Sequence, residues 1–148
     1  MPTIEIRDAL DEDLPGIMRA LAQSGIDGGL SFSLDEARAQ LDLLRARPGY
    51  RLFAALINGE VVGTYMFYVL AKLGKRGTPA GVVEDVAVDP RYQGQGIGRA
   101  MMQHALALCR EAGCYKLALS SNLKRQDAHR FYESLGFERH GYSYAVFL

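Results

Sequence analysis

The chain lacks an excess of charge of either sign, a cysteine-rich pattern and any long apolar run. Lys+Arg and Asp+Glu both total 17, so no net field would recruit nucleic acid or an anionic membrane, and a small partner is expected. The two cysteines, Cys109 and Cys114, indicate neither a disulfide framework nor a metal cluster, which favours a reduced, cytoplasmic protein. We expect no membrane span and no signal peptide, because neither pattern occurs.

Histidine is also scarce. His104, His129 and His140 do not have the spacing of metal ligands, so no metal site is predicted. The length of 148 residues suits one core that buries about 70% of the unfolded surface, which predicts a single domain over residues 1–148.

A glycine-rich loop lies between a predicted strand and a predicted helix. The strand, about Val82 to Asp89, ends before Pro90, which has no N–H for a sheet ladder. Gly94, Gly96 and Gly98 then lead into the helix. Glycines leave the backbone N–H groups accessible, and a helix N-terminus carries about half a positive charge. The stretch therefore predicts a phosphate-binding site.

Three kinds of phosphate-binding loop contain such glycines. The dinucleotide fingerprint needs G-x-G-x-x-G and an acidic residue about twenty positions later, and both are absent. The nucleotide triphosphate loop needs Gly-Lys-Ser/Thr, which is also absent. The remaining pattern is Gln-x-x-Gly-x-Gly, formed by Gln93, Gly96 and Gly98.

Hydrophobic periodicity and turn signals predict the other elements. Asn58-Gly59 predicts a hairpin, and Ser33 to Glu36 predicts a helix capping box. Two loops are expected, a mobile one at Ser24 to Ser31 and a basic one at Lys72 to Ala80, which is either a solvated turn or a flap that meets an anionic substrate. The predicted helices are about 14–21, 34–45, 97–112 and 127–135, and the predicted strands about 4–7, 50–57, 61–70, 82–89, 115–120 and 142–148.

A second motif follows the strand–helix–strand crossover. Phe131-Tyr132-Glu133 is followed by Gly136-Phe137, in the correct order after the glycine loop. Together the two motifs resemble the GNAT superfamily of N-acetyltransferases, and the specific resemblance covers Gly81 to Phe137. It implies an α/β (α+β) fold with a mixed central sheet of about six to seven strands, helices on both faces and two splayed parallel strands at the centre. Acetyl-CoA binds between those two strands in the family.

The resemblance implies transfer of an acetyl group from acetyl-CoA to a primary amine. Backbone N–H groups of the glycine loop would bind the pyrophosphate, with added charge from Arg99. The pantetheine arm would pair with the strand from Val86 to Val88, and the Val86 N–H would face the thioester oxygen. Asn122 would bind pantetheine or substrate unless it only forms a turn. The implied cofactor contacts are Val86, Ala87, Val88, Gln93, Gly94, Gln95, Gly96, Ile97, Gly98, Arg99 and Asn122.

Two carboxylates and one tyrosine are the candidate catalytic groups. Glu84 and Asp85 are adjacent in the strand, so only one of them would face the cleft directly, and either one would suit an ion pair instead. We favour Glu84 as the base, because regular pleating puts it on the same side as Val86 and Val88. Tyr132, through the family motif, is the candidate acid for the departing thiolate, although it also lies on the apolar face of its helix.

The substrate prediction comes from two groups within the superfamily. The motifs resemble those of glucosamine-6-phosphate and aminoalkylphosphonate N-acetyltransferases, which act on amines that carry a phosphorus oxyanion. Lys124 and Arg125 follow the second splayed strand and are the candidate contacts for that group. We therefore expect a small anionic amine. A protein or peptide acetyltransferase and a non-catalytic acetyl-CoA-binding module remain alternatives, and an exposed last strand would permit a homodimer.

Overall fold

The computed structural model describes residues 2–27 and 31–148. The chain forms two compact units, of which the first ends at Ala118 and the second comprises Leu119–Leu148. Within the described ranges no helix combines the length and apolar character needed to cross a bilayer. The helices are α1 (Leu14–Ser24), α2 (Leu34–Arg45), α3 (Ile97–Glu111) and α4 (Gln126–Ser134), and the strands are β1 (Glu5–Asp8), β2 (Tyr50–Ile57), β3 (Glu60–Leu70), β4 (Ala80–Val88) and β5 (Leu117–Ala118).

The first unit contains a mixed sheet with the strand order β1-β2-β3-β4-β5. All neighbours are antiparallel except β4 and β5, which are parallel as the crossover predicts. Asn58 and Gly59 have φ values of 51° and 78°, so the Asn-Gly hairpin between β2 and β3 is confirmed.

Helices pack on both faces of this sheet, as predicted. On one face the Phe53 ring stacks on Tyr65 and meets the edge of His104 from α3 at a centroid distance of 4.8 Å. On the other face Ala54 packs in a buried cluster with Ile17 of α1. Because neighbouring strand residues point to opposite faces, α3 lies across the sheet from α1. The glycine loop directly precedes α3, so the packing of α3 on this face of the sheet holds the loop at the end of β4.

Local signals determine the ends of several elements. The Ser33 hydroxyl accepts from the Glu36 N–H at 3.2 Å, and the Glu36 carboxylate accepts from the Ser33 N–H at 2.9 Å, which confirms the capping box of α2. The basic loop before β4 contains a short 3-10 turn at Lys75–Gly77. Of the predicted loop at Ser24 to Ser31, residues 28–30 lie outside the described residues.

The predicted final strand, Tyr142 to Leu148, is wrong, because the structure assigns these residues to no helix or strand. The apolar side chains there are exposed, from 85% at Val146 to 119% at Leu148. Alternating apolar residues favour an extended chain, but a strand also needs a neighbour for its N–H and C=O groups. No strand of the described chain pairs with this segment. We refer to residues 142–148 as the C-terminal tail.

The predicted strand count and the central position of the parallel pair also need correction. The described sheet has five strands rather than six or seven, and β5 lies at its edge, because the tail contributes no strand. β5 is also shorter than the predicted Tyr115 to Ser120 and pairs only as Gly81 with Leu117 and Val82 with Ala118. From Val83 to Val88, β4 therefore continues with no strand partner on the β5 side within residues 2–27 and 31–148.

Candidate active site

The glycine loop connects the end of β4 to the first turn of α3. Gly94 and Gly96 have φ values of 80° and 81°, a region that glycine adopts more readily than other residues do. Gly96 is the N-cap of α3, so no side chain caps the helix, and no acidic residue occupies its first turn. A Cβ atom added at either glycine would meet no atom of the described residues within 4 Å. The loop therefore presents bare backbone at the positive end of a 15-residue helix.

The backbone N–H groups of residues 94–99 have no hydrogen-bond acceptor among the described residues. The first N–H groups of a helix have no partner within it, and together with the helix dipole such donors bind anions. Gln93 and Arg99 are exposed beside them, whereas the Ile97 side chain is buried against the position of Gly63. Ile97 can contribute only its backbone. These groups fit the pyrophosphate of acetyl-CoA.

A buried aspartate, which we did not predict from the sequence, holds the start of this loop. Asp89 is 1% exposed, and its carboxylate accepts from the Arg91 N–H at 2.9 Å and from Arg91 Nη2 at 2.8 Å. The Arg91 guanidinium lowers the pKa of Asp89 below the ordinary value, despite the opposing effect of burial. Glu60 accepts from both Arg91 and Tyr92. The Asp-Pro dipeptide at positions 89 and 90 is the local signal for such a turn.

The candidate bases lie at a bulge in β4. The ladder pairs Glu84 with Met66 and Ala87 with Thr64, so Asp85 and Val86 share a single residue of β3. Asp85 has a φ of 53°, which non-glycine residues seldom adopt. The bulge therefore interrupts the strand at the residues that we linked to the thioester.

This bulge overturns the geometric reason for preferring Glu84. Glu84 lies opposite Met66, whereas Val88 lies opposite Gly63. Paired residues share a face, and Met66 and Gly63, three apart on β3, point to opposite faces. Glu84 and Val88 consequently do not share a side. Regular pleating fails here because an extra residue reverses the alternation.

The electrostatic environment of the two carboxylates is acidic. Partial burial raises the pKa of Glu84, and the adjacent Asp85 raises it further. Partial burial also raises the pKa of Asp85, with a further contribution from Asp27, which follows α1. Both side chains remain exposed to solvent, so each can exchange protons. No local signal links Asp27 to Asp85, because they are distant in sequence.

The second unit contains the remaining predicted residues. The Asn122 side chain accepts from the Lys124 N–H at 2.9 Å, which is an Asx-turn, and its carbonyl accepts from the Arg125 N–H at 3.0 Å. His129 Nε2 lies 2.7 Å from the same carbonyl. Lys124 and Arg125 are exposed. The turn that we considered for Asn122 is thus present, and it leads directly into α4.

Tyr132 lies in α4 between two aromatic rings. Its ring centroid is 5.2 Å from that of Phe131 and 5.7 Å from that of Phe137. Burial raises the pKa of its phenol, and the charge of Arg125 opposes that increase. A phenol with a raised pKa stays protonated and can donate a proton. The Ser121 hydroxyl in the same unit is buried without a hydrogen-bond partner among the described residues, and the sequence had not indicated it.

A cluster of metal ligands or a groove could also mark a functional site. Across the described ranges no cluster of three histidine, cysteine or acidic side chains is arranged to hold a metal ion. A polar groove of about 580 Å³ lies between β1, α1 and the β2–β3 hairpin. Its charged residues Arg7 and Asp13 bind each other at 2.6 Å, and it contains no predicted site residue.

The predicted site residues fall into two groups. The first group lies in the first unit, on β4, the glycine loop and the start of α3. That group consists of Glu84, Asp85, Val86, Ala87, Val88, Gln93, Gly94, Gln95, Gly96, Ile97, Gly98 and Arg99. Asn122, Lys124, Arg125 and Tyr132 form a second group, in and just before α4. The first group contains unpaired backbone N–H groups and two carboxylates, and the second contains a protonated phenol and the charge of Arg125.

Comparison with known proteins gives a consistent result. The profile of the Acetyltransferase (GNAT) family matches residues 15–137. The chain is 32% identical over 139 residues to aminoalkylphosphonate N-acetyltransferase of Salmonella typhimurium, covering 94% of this chain and 88% of that enzyme. It is 36% identical over 99 residues to glucosamine 6-phosphate N-acetyltransferase of Trypanosoma brucei brucei, covering 66% of this chain and 65% of that enzyme. A Trypanosoma brucei acetyltransferase of known structure superimposes with a TM-score of 0.85 at 29% identity, covering 99% of this chain and 100% of that chain.

Proposed function

The chain belongs to the GNAT family of acetyltransferases, and on that premise we propose that it acetylates a primary amine of a small, phosphonate- or phosphate-bearing molecule. It is an acyltransferase, and the acetyl donor of its family is acetyl-CoA. The observation that carries the proposal is the row of unpaired N–H groups at residues 94–99, which supplies a site for the donor's pyrophosphate.

The donor would be bound along β4 and α3. The loop from Gln93 to Gly98 supplies backbone donors, and Arg99 adds a guanidinium beside them. Val86 belongs to the bulge, and Ala87 and Val88 follow it. Among the described residues this part of β4 has no strand partner on its β5 side, so it can pair with the amides of pantetheine. Asn122 is the remaining proposed contact. Acetyl-CoA supplies the reaction with an acetyl carbon that is activated as a thioester.

In the proposed reaction the amine nitrogen bonds to the thioester carbon and the carbon–sulfur bond breaks. One carboxylate of Glu84 and Asp85 accepts the ammonium proton, because only the free amine has a lone pair for attack. The N–H of Val86 donates to the carbonyl oxygen as it becomes negative. Tyr132 donates its phenolic proton to the departing sulfur, and the second proton, which the attacking nitrogen loses as the amide forms, restores the phenol. The Arg125 charge that opposes the rise in its phenol pKa would also favour the resulting phenolate.

The base is tested by pH profiles of two matched variants. Glu84→Gln and Asp85→Asn each remove one ionisable group while keeping its size. A base must be deprotonated, so kcat/KM of the wild type should fall as the pH falls through a pKa above the ordinary carboxyl value, the direction in which both groups shift. The variant that lacks the base should lose this limb and about 10²–10⁴-fold in rate. If both variants keep the limb, neither carboxylate is the base.

An anionic amine is our first candidate substrate. Lys124 and Arg125 are exposed just before α4, and a guanidinium pairs bidentately with a phosphorus oxyanion. The two relatives named above are enzymes for an aminoalkylphosphonate and for glucosamine 6-phosphate. Their names support this substrate class for the present chain.

A specific observation favours a second candidate, an amine with several positive charges. Asp27 acts on Asp85, and Asp85 acts on Glu84, so three carboxylates lie within electrostatic reach in the first unit. Such a set attracts ammonium groups more than phosphates. The two candidates therefore differ in which residues recognise the substrate, Lys124 and Arg125 or the acidic set.

One assay separates these functions. The purified chain is mixed with acetyl-CoA and with 2-aminoethylphosphonate, glucosamine 6-phosphate, spermidine or a lysine peptide, and the products are identified by mass. We expect acetylation of the phosphorus-bearing amines, and a loss of it in the variant Arg125→Gln. Turnover of spermidine alone would favour the second candidate, and turnover of the peptide alone would indicate a protein acetyltransferase. Binding of acetyl-CoA without turnover of any amine would indicate a non-catalytic module.

Three further properties are part of this proposal. We propose one GNAT domain over residues 1–148, because the family profile crosses the boundary between the two units. We propose a cytoplasmic location, which two free cysteines fit.

We propose a homodimer in which the exposed apolar C-terminal tail of one copy pairs with a strand of the other. Removal of residues 142–148 should then yield a monomer in sedimentation experiments, and an unchanged mass would exclude this dimer.

A further inference from the structure

The C-terminal end of α3 brings the two cysteines of the chain together. Gly113 has a φ of 72°, and its N–H donates to the Arg110 carbonyl at 3.2 Å. The Cys114 N–H donates to the Cys109 carbonyl at 3.0 Å. This pair of hydrogen bonds defines a Schellman motif, which places the side chain three positions inside the helix end against the side chain two positions past the cap. In this chain those side chains are Cys109 and Cys114.

The motif holds the two cysteines near the distance at which disulfides form. Standard bond lengths and a 3.0 Å hydrogen bond between their backbones limit the Cα atoms to about 7 Å apart. Disulfides join residues whose Cα atoms are roughly 4.4–6.8 Å apart. Both cysteines are free in this structure, so the motif holds a reduced pair close to bonding geometry.

The two thiols differ in exposure. Cys109 is buried, and its thiol donates to the Lys116 carbonyl at 3.8 Å. Burial, and after it the Cys114 thiol, raise the pKa of Cys109 to about 12. Cys114 is partly exposed. A reagent in solution therefore meets Cys114 first, and Cys109 lies behind it as the resolving thiol.

We propose that Cys109 and Cys114 are a redox-active pair that closes reversibly to an intramolecular disulfide. The Cys114 thiolate attacks one sulfur of a small-molecule disulfide such as oxidised glutathione, so that a mixed disulfide forms and one thiolate leaves. Cys109 loses its proton to solvent and attacks the Cys114 sulfur, which expels the second thiol. The protein thiols lose two electrons and two protons, and the small disulfide is reduced to two thiols.

The disulfide would change the packing where β4 and β5 meet. A Cβ atom placed on Gly81 would lie 2.1 Å from the Cys109 sulfur and 3.3 Å from Leu117, so that sulfur fills the space beside this glycine. Gly81 and Leu117 are the first paired residues of the parallel strands. A disulfide sulfur has no hydrogen, so oxidation removes the bond from Cys109 to the Lys116 carbonyl, and any shift of the sulfur towards Cys114 leaves space beside Gly81. We therefore expect oxidation to weaken the β4–β5 pairing.

The test uses the whole chain and two matched variants. After treatment with oxidised glutathione, acid quenching and alkylation, we expect the wild type to weigh two hydrogens less and to carry no alkyl group, and dithiothreitol should restore both thiols. Cys109→Ser should instead accumulate a stable mixed disulfide at Cys114, because no resolving thiol remains. Cys114→Ser should stay reduced, because its remaining thiol is buried. A wild type that keeps glutathione, or that links two chains, would overturn the proposal.

A second measurement addresses the structural consequence. Amide hydrogen exchange should become at least severalfold faster at Gly81 and Leu117 in the oxidised protein and stay unchanged in Cys114→Ser under the same treatment. Unchanged exchange after oxidation would refute the weakening of the strand pair. We also expect oxidation of the cysteine pair to change the affinity for acetyl-CoA. Of the expectations in this subsection, only this one rests on the proposed function. If the reduced protein does not bind acetyl-CoA, the proposed function fails while the disulfide result still stands.

Discussion

Replacing Gly96 by alanine tests the loop at the start of α3 directly. The added methyl group meets no atom within 4 Å in the part of the chain that the structure describes, so it clashes with none of those residues. Its cost to folding is the backbone strain of an alanine at a φ of 81°, about 1–2 kcal/mol. The same methyl group stands where an anion would approach the N–H groups of residues 94–99. Loss of one charge-assisted hydrogen bond, worth about 1.5–3 kcal/mol, would weaken acetyl-CoA binding about tenfold to hundredfold.

Gly113 offers a matched control at the other end of the same helix. It has a φ of 72°, and a Cβ atom there also meets nothing within 4 Å. Gly113→Ala should therefore lower the free energy of unfolding by a similar amount and leave the Kd for acetyl-CoA within about twofold. Urea unfolding and calorimetric titration, both under reducing conditions, give the two quantities for each variant. Equal Kd values for Gly96→Ala and the wild type would refute the assignment of this loop.

Three further predictions concern single contacts. Tyr132→Phe should keep the aromatic packing and the Kd for acetyl-CoA but lower kcat about 10²–10⁴-fold. The matched variant Tyr144→Phe, at an exposed position, should change neither kcat nor Kd, and steady-state kinetics measure kcat for both variants. Asp89→Asn should lower the free energy of unfolding by about 1–3 kcal/mol at pH 7. Because the pKa of Asp89 is lowered in the folded state, this difference should decrease once the pH falls below the ordinary value of about 3.8 and vanish below the folded-state pKa, which urea titrations across pH would test. Gly81→Ala should cost about 1–3 kcal/mol by overpacking, and Cys109→Ala should recover part of that loss in a double-mutant cycle.

Elements that depend on a few neighbouring residues could be predicted from the sequence. The Ser33 and Glu36 capping box, the Asn58-Gly59 hairpin and the glycine loop before α3 each have a local physical cause. Helix periodicity likewise placed α2 and α3 within a residue of their observed ends. In each case the backbone groups that need satisfying lie within a few positions of the residues that satisfy them.

Features that depend on distant partners could not be predicted. The bulge at Asp85 depends on how β4 aligns with β3, and it reversed the side of the strand on which we expected Glu84. The proximity of Asp27 to Asp85 likewise depends on how α1 and β4 pack. The C-terminal tail has the composition of a strand, but its local sequence does not determine which strand it would pair with.

We propose that the backbone at the start of α3 binds the diphosphate of acetyl-CoA. Amide chemical shifts of isotope-labelled protein measure this directly during titration with CoA and, separately, with pantetheine, which lacks the diphosphate. We predict that CoA produces its largest shifts at residues 94–99 and that pantetheine leaves these amides nearly unchanged. Shifts of equal size with both ligands, or none at these amides with CoA, would contradict the claim.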